Sequence, residues 1–252
     1  MDYPVTLLAE PRAVRLVSTA RLRDPVLHRL LDDPEGAGRT GAEIEELARA
    51  LAEIEGGTSA RQTVQALRSS VFPAGRPHAN FVNAAFAYWR PRERNRFNDA
   101  GFGAWYAAFA TRTAVAEVTF HLGRELERVR DWHATVEWSE MWASFAGSFV
   151  DLRTVLPPPP CLHPDVAIGY PAGNALGRET RDAGHNGIVY PSVRDPGGIC
   201  LVALWPHAVQ SVTQGTVIRA VWRGTPTPVV TTGAGRAPPA GPASSTMRTP
   251  PA

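Results

Sequence analysis

The stretch RFNDAGFGAWYAAF, residues 96–109, runs directly into ATRTAVAEVTFH, residues 110–121. Its first half reads as a Gly-rich loop and a short strand around Trp105 to Phe109. Its second half reads as a helix that Thr111 or Thr113 caps and that continues to about Val129. Glu117 falls in the apolar part of that helix. Its neighbours three and four residues away are Thr113, Ala114, Phe120 and His121, so no fixed cation of the helix itself neutralises it. Most helical glutamates are simply solvated. One that is not needs a partner, because desolvating an unpaired carboxylate is costly. His121 lies one turn on and is read as a satisfied interior histidine.

Upstream, AVRLVST is a strand carrying Arg15, and Asp24-Pro25 opens a short helix with Val26, Leu27, Leu30 and Leu31 on one side. TGAEIEELARALAEIEGG is the clearest helix: Thr40 and Glu43 form a capping box, Ile44, Leu47, Leu51 and Ile54 repeat at helical spacing, and Gly56-Gly57 ends it. A loop, FPAGRPH, precedes a strand over residues 79–89. Downstream, HATVEWSEMWASFAGSFVDLRTV is rich in Trp, Val and Phe and reads as strands. The prolines of LPPPPCLHP make an extended loop. A helix follows around residues 171–181. NGIVYPSV and ICLVALWP are two strands joined by the turn RDPGG, and GTVIRAVWRG is the last strand. This pattern predicts one α+β domain. Its N-terminal strand and helical portion occupy residues 1–78, its strand-rich core residues 79–224, and a Pro/Ala/Thr-rich tail, too poor in apolar residues to fold, residues 225–252.

Composition narrows the function. In 252 residues there are 26 basic and 24 acidic side chains, a net charge of +2 that favours neither nucleic acid nor an anionic membrane. Every basic residue is arginine. That excludes a Schiff-base or P-loop lysine and leaves planar guanidinium forks to bind anions. Two isolated cysteines, Cys161 and Cys200, suit structural thiols in a reducing compartment. The N-terminus lacks a signal-peptide pattern and no run approaches the 18 apolar residues of a membrane span, so the expected location is cytoplasmic. GxGxxG after a strand, GxSxG and HExxH are all missing. Cys161-Leu162-His163 could be half a metal site, but no second pair lies near it in sequence, and the structural reading stands.

NRFNDAGFGAWYAAFATRTAVAEVTFH resembles a block of the RES-domain family, named for a recurring arginine, glutamate and serine, with Arg96, Tyr106 and Glu117 at the matching places. NGIVYPSVRDPGG is similar to the family's second block, with Ser192 as its serine. AVRLVST resembles the opening strand and supplies Arg15, although Val14 stands where tyrosine is usual. GTSARQ, with Arg61, is similar to a segment of a longer subgroup. Phe97 replaces a common tryptophan.

The resemblance implies an ADP-ribosyltransferase-like mixed β core. It also implies a toxin of a bacterial toxin–antitoxin pair that cleaves the nicotinamide–ribose bond of NAD+, by phosphorolysis with inorganic phosphate as co-substrate or by hydrolysis, without a metal. The implied partner is an Xre-type antitoxin that blocks the site, and nucleic acid is met only through it. ADP-ribosylation of a protein, or a catalytically silent antitoxin-binding module, are the alternatives. In this reading Glu117 stabilises charge on the ribose, and Arg15 and Arg96 bind the pyrophosphate. Tyr106 offers a ring face, Ser192 positions a phosphate or hydroxyl, and Arg61 assists.

Overall fold

The computed structural model describes residues 3–19, 81–82, 85–86, 95–99 and 101–233. The expected helices over residues 24–31 and 40–57, the FPAGRPH loop, Arg61 and residues 234–252 lie outside these described residues, and so does most of the expected N-terminal helical portion.

The described chain is a mixed sheet with two long helices on it. β1 (Val5–Ser18) is followed by β2 (Trp105–Ala108), α1 (Thr111–Val129) and β3 (His133–Asp151). α2 (Val166–Asp182), β4 (Gly187–Pro191), β5 (Ile199–Ala203), β6 (Val209–Arg223) and β7 (Val229–Thr232) complete it. The strand order is β1-β2-β5-β4-β3-β6-β7, with β1 also paired to β3, so the first five strands in that order close on themselves. Among the described strands only β3 and β4 pair parallel. The others pair antiparallel, and the short connections of β4 to β5 and of β6 to β7 require it for those two pairs.

Alternation along the strands divides the core in two. Val14, Leu16, Ala108, Tyr190, Cys200 and Val202 face one cluster, on which α1 sets Ala114, Val118 and Leu122 and α2 sets Leu176. Ala13, Trp105, Ala107, Met141, Phe149, Val189 and Leu201 face the other. The strand read in AVRLVST, the helix carrying Glu117, the helix around 171–181 and the pair flanking RDPGG are all present, with β1 and α2 longer than expected.

Four expectations are corrected. Residues 81–82 and 85–86 are helical rather than part of a strand over 79–89. Val82 and Phe86, four apart, are both buried in the second cluster, which is a helical repeat. The segment read as several strands over 133–155 is one continuous strand of 19 residues. Neither Thr111 nor Thr113 caps α1: its N-cap is Ala110, with no side-chain cap bond, because both hydroxyls bond to carboxylates from elsewhere in the fold. Finally, GTVIRAVWRG is not the last strand. Residues 229–232, placed in the tail, form β7 on the outer edge of β6. All four are exposed, so backbone pairing and β-branched residues hold this strand without a core contribution.

Candidate active site

The first turn of α1 is fixed by two acids. Thr111 donates to Glu140 of β3, which is 7% exposed and also accepts from Trp142 Nε1 and the Thr216 N–H. Thr113, wholly buried, donates to Asp195 Oδ2 at 2.7 Å. One turn further on, Glu117 reaches the wall of a cleft of about 200 Å³. Arg15 of β1, Arg96 from the segment before β2, Tyr106 of β2 and Glu117 of α1 all border that cleft. Ser192 joins them by donating its hydroxyl proton to Glu117 Oε1 at 2.7 Å.

The direction of that hydrogen bond is fixed. Ser192 Oγ accepts the backbone N–H of Arg194 at 3.1 Å and of Asp195 at 3.0 Å. With both lone pairs engaged, the single hydroxyl proton is directed at the carboxylate. Cys200 Sγ lies 3.8 Å from the same oxygen. Burial first, then the Glu117 charge, pushes that thiol far above its ordinary range, so it stays protonated. Among the described residues no guanidinium is within ion-pair distance of Glu117.

Arg96 is 8% exposed. It owes its position to α2, on which Gly169, Gly173 and Gly177 recur every fourth residue. An added Cβ at Gly173 would overlap the Arg96 carbonyl oxygen, and one at Gly177 the Phe97 carbonyl oxygen. The glycine stripe therefore lets residues 96 and 97 lie directly on the helix. Asn174 Nδ2 secures the same segment by donating to the Asn95 carbonyl at 2.6 Å. Arg96 Nη1 donates to the carbonyls of Cys161, 2.6 Å, and His163, 3.1 Å, and its guanidinium lies 5.4 Å from the Tyr170 ring centroid. The CLH triplet thus serves through its backbone oxygens. Among the described residues no group of three or more His, Cys, Asp or Glu gathers to hold a metal.

Tyr106 uses its hydroxyl internally, accepting the Phe97 N–H at 2.9 Å and donating to Asn98 Oδ1 at 2.8 Å. Burial drives its pKa upward, so it remains a phenol and presents its ring to the cleft. Arg15 borders the cleft from β1. Its guanidinium lies 5.1 Å from the Trp105 ring centroid, and Nη1 donates to the Ala104 carbonyl at 3.4 Å.

Three lining residues escape a reading by motif. Arg194 packs its guanidinium 3.5 Å from the Phe120 ring centroid and donates to the Pro164 carbonyl at 2.7 Å. Burial and the neighbouring Arg96 lower its pKa, while Glu117 opposes them, so the three groups share one electrostatic environment. Tyr190 is buried, and burial, then Cys200 and Glu117, raise its pKa. His121 is not the satisfied interior histidine expected. It is exposed at the cleft. Enough protein surrounds the imidazole that desolvation, with Arg194, Arg124 and Arg96, pushes its pKa down to about 4. Arg194 stands two residues after Ser192 and Tyr190 two before it, and no motif singles out either.

The site is thus a recess bordered by the guanidiniums of Arg15, Arg96 and Arg194 and holding one oriented carboxylate, Glu117. Comparison with known proteins agrees with the motif pattern. No curated protein matches the chain. Among solved structures, the crystal structure of the M. tuberculosis MbcT–MbcA toxin–antitoxin complex is similar at 14% identity. The match covers 61% of this chain and 91% of that one, with a TM-score of 0.35. The family model described as "RES domain" matches residues 71–223, a span that includes Arg96, Tyr106, Glu117 and Ser192. With more than half of its length matched, from before Arg96 to the end of β6, this chain belongs to the RES-domain family.

Proposed function

We propose that this chain cleaves the nicotinamide–ribose bond of NAD+, as the toxin of a toxin–antitoxin pair. The observation that carries the reading is Glu117: a carboxylate oriented by Ser192 on a cleft wall and paired with no cation among the described residues. Such a group suits a reaction in which positive charge develops. As the C–N bond breaks, the electron pair leaves with nicotinamide, which departs neutral. The positive charge of the pyridinium moves onto the ribose, as in an oxocarbenium-like transition state. A carboxylate against the ribose stabilises that state more than the bound substrate, which is the condition for raising the rate.

Arg96 fits the pyrophosphate. Its described hydrogen bonds use Nη1 alone, so Nη2 and Nε remain for a charge-assisted contact. Arg15 and Arg194 border the same cleft and extend that anion site, with Arg61 a further candidate. The Tyr106 ring takes the nicotinamide or its ribose. At about 200 Å³ the recess is smaller than the roughly 300–1,000 Å³ that encloses a whole drug-sized ligand, so it receives the reacting end of the dinucleotide and leaves the adenosine outside. An Xre-type antitoxin that covers this mouth would silence the enzyme, and contact with nucleic acid would come through that partner.

Purified protein free of antitoxin is expected to consume NAD+ and release nicotinamide, with an ADP-ribose phosphate product when inorganic phosphate is the acceptor. NAD+ left intact both with and without phosphate would overturn the reading. Label transferred from NAD+ to protein would instead identify a protein acceptor.

A further inference from the structure

Resting on that reading of Glu117, we propose that Asp195 is a positioning residue that orients the reacting carboxylate through Ser192. The loop of residues 192–198 and helix α1 form a closed circuit of hydrogen bonds. Thr113 Oγ1 donates to Asp195 Oδ2 at 2.7 Å. The Asp195 N–H donates to Ser192 Oγ at 3.0 Å, and Ser192 Oγ donates to Glu117 Oε1 at 2.7 Å. Thr113 and Glu117 are four residues apart, one above the other on the same helix face. The loop therefore grips α1 at two successive turns, and the second grip is the reacting group.

The grip is built tightly. The Ser192 N–H donates to the Gly198 carbonyl and the Gly198 N–H to the Asp195 carbonyl, both at 2.8 Å, which folds the loop back on itself. A Cβ at residue 198 would come within 2.6 Å of Thr113 Oγ1 and 2.7 Å of Asp195 Oδ2. Only glycine leaves room for that bond. Arg112 Nε, 3.2 Å from the same Asp195 Oδ2 that accepts from Thr113, neutralises the acid from the solvent side. Releasing the Asp195 side chain frees the loop from Thr113. The backbone N–H that fixes Ser192 then moves, and the hydroxyl loses its aim at Glu117.

An ordinary role competes with this one, because an acid near a helix N-terminus stabilises the helix by charge alone. That role alters stability without a specific link to Ser192. A mutant cycle on NAD+ consumption by the full chain separates the two. Asp195→Ala is expected to lower kcat about ten- to hundredfold, as displacement of a reacting group does, with little change in KM. Asp195→Asn, whose amide oxygen still accepts from Thr113, recovers most of that loss. In a Ser192→Ala background, Asp195→Ala adds less than about a twofold effect, because both changes act on one path. Thr113→Val removes the helix half of the tie and lowers kcat in the same sense, which covers the case in which Asp195→Ala does not fold.

Wild-type kcat in Asp195→Ala or in Thr113→Val, or a double mutant that falls by the product of the two single losses, overturns the positioning role while leaving the reaction intact. A wild-type protein that does not cleave NAD+ removes the reaction and this role together.

Discussion

The hydroxyl of Ser192 stands 2.7 Å from Glu117 Oε1, although 75 residues of chain separate them. The serine holds its oxygen between two backbone N–H donors and turns its proton to the acid. An acid oriented in this way before substrate arrives needs no rearrangement at the moment of reaction, which is the physical content of a preorganised site.

Ser192→Ala removes that orientation and strands two backbone N–H groups. The fold is expected to survive with a loss of about 1–3 kcal/mol. The rate of NAD+ cleavage should fall in kcat rather than rise in KM, since in this account Ser192 acts by orienting Glu117. Urea unfolding alongside steady-state kinetics checks both. A raised KM at unchanged kcat would place the serine on the ligand instead.

Gly173→Ala tests the bed beneath Arg96. The new methyl meets a backbone carbonyl oxygen, which cannot rotate away as a flexible side chain could. Overpacking of this kind costs about 1–3 kcal/mol. Because the displaced residue is Arg96, NAD+ binding is expected to weaken as well. Gly184→Ala makes a useful contrast: it has a positive φ of 77° but no atom within 4 Å of the new methyl, so backbone strain alone would register.

The pH dependence of stability has a definite sign at His121. Its folded pKa, about 4, lies below the ordinary 6.5 of a free imidazole. Between those values the unfolded chain binds the extra proton, so the contribution is present above about pH 6.5 and is lost as pH falls toward 4. The imidazole is exposed, and solvent screening keeps the effect small. His121→Gln is expected to flatten the melting temperature between pH 4 and 6.5 relative to wild type. An identical slope in both proteins would contradict the assignment.

Much of the site was legible because its residues lie in short blocks. Arg96, Tyr106 and Glu117 fall within 22 consecutive positions, and α1 announces itself by period. What escaped depends on chain distant in sequence. Glu140 and Asp195 take the hydroxyls of Thr111 and Thr113, which local reading assigns to capping. The glycines of α2, four apart in GYPAGNALG, look like weak points of a helix until the 95–98 segment is laid on them. The helical residues 81–82 and 85–86 lie in a segment that reads as strand because alanine and aromatic residues fit either period over so short a run. β7 escaped because an exposed edge strand needs no apolar pattern, only a partner.

Glu117→Gln addresses the central claim most directly. Glutamine keeps the volume and still accepts the Ser192 proton, so the fold and the cleft should be retained while the negative charge is lost. The rate of nicotinamide release from NAD+ by the purified variant is expected to fall on the order of a hundred- to thousandfold, with its unfolding midpoint close to that of wild type. A folded Glu117→Gln protein that releases nicotinamide at the wild-type rate would contradict the account.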